Sequence, residues 1–189
     1  GKACYVPLRH GAVMNDQKQA QAGLDFSEAP PPSYPQIPFQ MAIDLLRPVL
    51  EDPSVLKIGH NLKYDSHVLR WPRNGEINLY PVDDTMCLSY VLDSGRVGGH
   101  SLDHLAKYWL DYDTIKFSDI CGKGAKQVPF GSLAPEAALN YAAEDADITL
   151  RLWRLLKPRL CKERVASVYE RLERPLIPIL AKMEADGIT

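Results

Sequence analysis

The sequence lacks several features that would settle a function at once. None of its four cysteines, Cys4, Cys87, Cys121 and Cys161, belongs to a Cys-x-x-Cys pair. Neither a zinc knuckle nor a disulfide framework is indicated, and reduced thiols are the default. No apolar run approaches the roughly 20 residues that span a bilayer. No basic-then-apolar leader opens the chain, which therefore reads as a cytoplasmic protein without a membrane partner. An excess of charge of one sign is missing too, with 22 Lys and Arg against 24 Asp and Glu and a net of -2. That balance argues against a general polyanion binder, yet it leaves room for a site that holds cations with its own carboxylates. Internal repeats are absent. Gly122-Lys123-Gly124-Ala125-Lys126 lacks the spacing of a nucleotide P-loop and reads as a basic loop suited to a phosphate backbone.

What is present is enough apolar material, 46% of 189 residues, for one globular domain with a core. Residues 3–8 read as a short strand ended by Pro7, and 9–38 as a long proline-rich connection. A helix is expected over 39–51, with Phe39, Ile43, Leu46 and Leu50 on one face and Pro48 near its end. Val55–Gly59 reads as a strand, followed by a helix over 62–71 with Asn61 as N-cap. A second strand over 77–82 leads to Asp84, the expected N-cap of a helix over 85–93. After a break at Gly95–Gly99, residues 101–110 are helical and 111–133 form a loop region. Pro135 opens a long helix that Pro158 limits near 157, and a last helix covers 163–185, bent at Pro175 and Pro178, with Gly187 as its cap. Strands alternating with helices predict an α/β fold. Trp71, Trp109 and Trp153 read as packing residues. His100 and His104 have helical spacing but no third partner for a metal.

Two carboxylates fall where carboxylates are costly. Asp65 lies between Leu62 and Leu69 in helical spacing, on or beside the buried face. Asp145 follows Tyr141 by four residues on the face marked by Ala138, Ala142, Ile148 and Leu152, while Glu144 and Asp147 point elsewhere. An isolated buried carboxylate costs several kcal/mol. Three remedies are open: Lys or Arg partners, capping of nearby backbone, or a metal ion. Asp65 also follows the carboxyl end of a strand, where open α/β sheets place their sites.

These residues sit in a familiar pattern. His60-Asn61-Leu62-Lys63-Tyr64-Asp65 resembles the second exonuclease motif of the family A DNA polymerases, the bacterial DNA polymerase I type. Tyr141-Ala142-Ala143-Glu144-Asp145 resembles the third, a Tyr-x-x-x-Asp motif. Val82-Asp83-Asp84-Thr85-Met86, Gly122 to Phe130 and Glu173-Arg174-Pro175-Leu176-Ile177-Pro178 resemble the same family in the expected order. The resemblance implies a ribonuclease H-like 3′–5′ exonuclease fold, a mixed sheet flanked by helices. It implies a proofreading nuclease of DNA replication and repair that hydrolyses the terminal phosphodiester of a single-stranded DNA 3′ end with two divalent metals, Mg²⁺ or Mn²⁺. Asp145 and Asp65 would be the metal ligands, with Tyr141 beside them to orient the attacking water. Asn61, Tyr64 and Phe130 match positions that contact the frayed 3′ end. His60 also faces substrate in this reading, and Arg96 substitutes for a family arginine near the position of Gly99.

The family's first motif, Asp-x-Glu on a central strand, occurs nowhere in this sequence. Asp16, Asp25 and Glu28 lie in the proline-rich connection. The chain is therefore expected to begin near the third strand of the sheet, to hold an incomplete two-metal site, to be weak or inactive as a nuclease, and to self-associate through exposed sheet edges. By the same resemblance, residues 1–160 form the exonuclease domain and 161–189 a helix leading toward a polymerase domain in cis. Two other functions fit these residues: a ribonuclease D-like exoribonuclease, which shares the Tyr-x-x-x-Asp variant, and a non-catalytic domain that positions a polymerase.

Overall fold

The computed structural model describes residues 2–8, 10–11, 34–69 and 77–187. The expected connection at 12–33, the end of the helix expected to reach 71, and Trp71 lie outside the described residues. Eight α-helical segments and two short strands appear among those described: α1 (Phe39–Leu50), β1 (Lys57–Gly59), α2 (Leu62–Leu69), β2 (Val82–Asp84), α3 (Thr85–Asp93), α4 (Leu102–Leu110), α5 (Phe117–Cys121), α6 (Pro135–Lys162), α7 (Ala166–Val168) and α8 (Arg174–Ala185). A π-helical turn, Tyr169–Glu173, joins α7 to α8. The α/β class is as expected.

The sheet differs from expectation. It is parallel rather than mixed and has two strands among the described residues, with Lys57 opposite Val82 and Gly59 opposite Asp84. Residues 2–8 form no strand, and Pro7 in that segment has no N–H to give a ladder. The second strand begins later than 77 because Pro81 likewise cannot donate, and pairing takes hold only from Val82. The outer edge of β2 is closed by side chains. Arg174 Nε donates to the Val82 carbonyl at 2.7 Å, and the Asp84 N–H donates to the Tyr169 hydroxyl at 3.1 Å. Of the two expected exposed edges, only that of β1 lacks a partner among the described residues.

The chain forms two compact units, one of residues 1–42 and 115–144, the other of 43–114 and 145–189. The second holds the larger core. Leu88, Leu92, Leu105 and Ala106 of α3 and α4 meet Ile148, Leu152, Leu156 and Leu160 of α6, with Tyr169. Each large side chain buried there contributes about 1.5–3 kcal/mol. A smaller cluster joins Leu62, Val82 and Ile177, which seats α8 against α2.

Several helix ends follow their local chemistry. Asp84 caps α3, and Ser101 caps α4 by accepting the His104 N–H at 3.3 Å. The end of α6 does not. It runs through Pro158 to Lys162, because the next turn is held from outside. Leu160 is buried in the core, and Arg159 makes a two-pronged ion pair with buried Asp93, at 2.8 and 3.0 Å, while lying 4.6 Å over the Trp109 ring. The π turn before Pro175 is where the last helix absorbs its prolines.

In the first unit, the expected loop at 111–133 contains α5 and two 3₁₀ turns, Gly124–Lys126 and Phe130–Ser132. Gly122 ends α5 with a φ of 79°, and a Cβ there would stand 3.0 Å from the Lys126 carbonyl oxygen. Glu144, expected to point to solvent, instead accepts the Ile115 N–H at 2.7 Å.

Removing one partner of a buried ion pair strands the other. Asp93→Ala is therefore expected to destabilise the fold by about 3 kcal/mol, read from the denaturation midpoint at unchanged slope. A loss below about 0.5 kcal/mol would show that solvent reaches Arg159.

Candidate functional site

In the second unit, β1 delivers His60 and Asn61 to the start of α2, and Asp65 lies in that helix's first turn. Asn61 is not the cap its sequence suggests. It adopts the left-handed region at φ 59°, which Asn tolerates but which is not the extended conformation of a capping residue. Asp84 caps α2 in its place. Its carboxylate accepts the Asn61 N–H at 3.0 Å and the Leu62 N–H at 2.7 Å, in addition to Met86 and Cys87 of its own helix at 2.8 and 3.4 Å.

Asp65 is exposed, a correction to the expectation of a buried-face position. The eight-residue α2 turns only Leu62 and Ser66 fully inward. Even so, neighbouring protein atoms strip water from its carboxyl and raise its pKa above the ordinary carboxylate value; its own backbone N–H opposes this, and the Asp84 charge adds to it. Asp145 is half-buried on α6, one turn before the fully buried Ile148.

His60 turns inward. The Thr85 hydroxyl donates to the Gly59 carbonyl at 3.1 Å, so His60 Nδ1–H is the donor to that hydroxyl at 2.9 Å. Its Nε2 is buried without a partner. Burial lowers the pKa of the ring, against the pull of Asp84. Tyr64 is exposed at 66%, and Arg96 is exposed in the turn after α3. Glu184 of α8 grips Lys63 at 2.5 Å and His67 at 2.8 Å, which ties α2 to α8. His100 and His104 bond to Ser89 and to the Val97 carbonyl.

In the first unit, Phe130 and Tyr141 join an aromatic cluster. Their centroids are 5.8 Å apart, and Phe117 stacks on Phe130 at 6.3 Å and 17°. Tyr5 and buried His10 pack on the same ring. His10 Nδ1–H donates to the Leu133 carbonyl at 2.8 Å, its Nε2 accepts the Tyr5 hydroxyl, and Gln36 brackets its backbone N–H and carbonyl. Neither Tyr5 nor His10 carries a sequence signal, because a lone histidine in a proline-rich stretch matches no spacing rule. The structure thus gathers Asn61, Asp65 and Asp84 in one unit and Phe130 with Tyr141 in the other. Asp145 and Tyr141 share the continuous helix α6, one turn apart.

The donor set can be tested against a divalent cation. Asp83 spends its oxygens on Trp153, Lys157 and Tyr169, and Asp84 spends its own on four backbone N–H groups. No group of three or more His, Cys, Asp and Glu side chains converges among the described residues. A hard cation takes about six oxygen ligands. Asp65 and Asp145 alone do not complete such a cradle.

A profile described as 3′–5′ exonuclease matches residues 25–161. The chain belongs to the 3′–5′ exonuclease family. It is 47% identical, over its full length, to DNA polymerase I of Rhizobium leguminosarum, of which it covers 17%. It is 42% identical to DNA polymerase I of Pseudomonas aeruginosa over 99% of the chain and 18% of that protein. This exonuclease chain thus spans less than a fifth of each of these two polymerases. Two solved structures share the fold: Brucella melitensis NrnC bound to pGG, with TM-score 0.61 and 23% identity, and a nuclease in its apo form, with TM-score 0.62 and 25% identity. Each alignment covers 75% of this chain and 64% of the other. Dependence on divalent metal is general in the exonuclease family. Cys4, Cys87, Cys121 and Cys161 are all free thiols, and no helix among the described residues is long and apolar enough to cross a membrane.

Asp65 is an acid whose folded pKa is raised, so its ionised form disfavours the fold. Asp65→Asn is expected to raise the melting temperature of the exonuclease chain at pH 7 in chelator. The gain should shrink as pH falls from the raised folded value toward the ordinary carboxylate value of 3.8 and vanish below it, because the acid is then neutral in both states. Thermal melts of both proteins across pH check this; a pH-independent difference would assign it to another cause.

Proposed function

We propose that this chain carries the second and third motifs of a proofreading exonuclease, which hydrolyses the 3′-terminal phosphodiester of single-stranded DNA. The observation that carries the reading is 47% identity to a DNA polymerase I across the entire chain, together with the exonuclease match over 25–161. In this reading Asp65 and Asp145 are the carboxylates at the reacting phosphate. Tyr141, one helical turn before Asp145, orients the attacking water with its hydroxyl. Tyr64, Asn61 and Phe130 hold the unpaired 3′ end, through stacking and backbone contacts, and Arg96 lies toward its phosphates. His60 holds the turn through its Nδ1–H, which donates to the Thr85 hydroxyl, while its buried Nε2 has no partner within the fold. Residues 1–160 act as the nuclease and 161–189 as the helix toward a polymerase domain in cis.

Two carboxylates are half of what such a site needs, and the sequence contains no Asp-x-Glu pair. The chain alone is therefore a weak nuclease. The test uses a 3′-labelled single strand with Mn²⁺ or Mg²⁺, comparing the chain alone with the chain fused to the Asp-x-Glu segment of a bacterial DNA polymerase I. The fusion is expected to be at least about 10²-fold faster, and Tyr141→Phe in it to lose about 10²-fold in kcat, as for a lost acid–base or water-positioning group. Asp65→Ala or Asp145→Ala should abolish its activity. Equal rates with and without the segment would refute the incomplete-site reading. An inactive fusion would favour a non-catalytic domain.

A further inference from the structure

Asp84 has no role in the reading above, yet its carboxylate accepts four backbone N–H groups. Oδ1 accepts the N–H groups of Asn61, Met86 and Cys87, and Oδ2 accepts that of Leu62. The four donors are the leading amides of two helices. Asp84 is 2% exposed, and what surrounds its charge is two helix N-termini rather than a Lys or Arg. Its own N–H is held by the Tyr169 hydroxyl at 3.1 Å, and that hydroxyl donates to Asp83 Oδ1 at 3.1 Å. The carboxylate is thus fixed at the end of β2 from behind and presented to α2 and α3 in front.

We propose that Asp84 is the positioning residue of the nuclease site: by capping α2 and α3 with one carboxylate, it sets where α2 begins and so where Asp65 points. The inference rests on the reading of Asp65 as a carboxylate of the reaction. Three observations support it. Asn61, at φ 59°, is not in the conformation of a self-sufficient cap. Asp65 lies in the first turn of α2, where a change in the helix start moves a side chain most. The chemistry also demands a carboxylate at this position. Both oxygens accept, Oδ1 from the N–H groups of both helices and Oδ2 from that of Leu62, whereas the amide of an asparagine would set an N–H against an N–H on one of them. Serine at the same position can cap α3, but its single oxygen cannot also reach α2.

The experiment compares Asp84→Ser and Asp84→Asn with Asp93→Ala, which breaks the distant Arg159 ion pair and controls for lost stability. In the chain itself, amide hydrogen exchange is expected to accelerate about tenfold or more at Leu62 in both Asp84 variants, the scale of a lost charge-assisted hydrogen bond. Met86 should stay protected in Asp84→Ser. In the fusion described above, Asp84→Ser is expected to lower kcat about 10²-fold, the cost of misplacing a reacting group by about 1 Å, with KM for the single strand within about twofold. Asp93→Ala should leave both readouts near the parent values below its melting range. Unchanged Leu62 exchange, or a kcat loss no larger than that of Asp93→Ala, overturns the proposal. If the parent fusion itself is inactive, the nuclease reading falls and the catalytic part of this one with it. An active parent with kcat unmoved by Asp84→Ser overturns this inference alone.

Discussion

Two adjacent carboxylates, Asp83 and Asp84, are buried on a three-residue strand, and the second unit is organised around their neutralisation. Successive residues of a strand face opposite sides, and the two acids are answered by different means. Asp83 meets side chains: Trp153 Nε1 at 2.8 Å, Lys157 at 3.1 Å, the Tyr169 hydroxyl at 3.1 Å and Arg174 at 3.6 Å. Asp84 meets backbone, through four amides of two helices. Leaving either charge unanswered in the interior costs several kcal/mol. Each acid therefore forces a set of elements to its place: α6, the π turn and α8 around Asp83, and α2 and α3 around Asp84.

This arrangement explains how so small a sheet persists. A two-stranded ladder is marginal in water, and here the ladder is not what holds the strands. β2 is anchored by its side chains, while its outer edge is closed by Arg174 and Tyr169. Among the described residues, hydrogen-bonding capacity for a further strand is thereby left at β1. The π turn serves the same end. Packing an extra residue into one turn lets Tyr169 reach Asp83 while Arg174 reaches both Asp83 and the Val82 carbonyl, and it does so just before Pro175, where a regular helix would be strained.

Where local chemistry decided, the sequence was a sufficient guide. Ser101 and Asp84 cap the helices they precede, Pro135 opens α6, and the glycines at 95 and 187 take left-handed conformations at breaks. Where a distant residue decided, it was not. Asn61 looks like a cap because nothing local reveals that Asp84, more than twenty residues on, will take its donors. Pro158 looks like a stop because the Arg159–Asp93 pair that carries the helix past it spans 66 residues. Residues 3–8 have the composition of a strand but pair with no strand among the described residues. The candidate site divides in the same way. Asp65, Tyr141 and Asp145 are proposed from motif order and spacing, which the sequence carries by itself. The Asp83 and Asp84 networks and the His10 bracket behind Phe130 were not legible there, since each depends on contacts that only the folded chain makes.

The electrostatics of Asp65 follow from that same allocation of helix termini. A carboxylate in the first turn of a helix ordinarily gains from the unsatisfied N–H groups there, and its pKa falls. That of Asp65 rises. The first two amides at the start of α2 are given to Asp84, so Asp65 sets only its own backbone N–H against desolvation and a like charge. No described cation is among the groups acting on it, although Lys63 stands two residues away, because Glu184 holds that ammonium at 2.5 Å. The fold thus leaves one solvent-facing acid without a cation and with its own backbone N–H as its compensation. A carboxylate left in that condition gains from an external positive charge, which is the physical sense in which the proposed positioning by Asp84 fits the proposed role of Asp65.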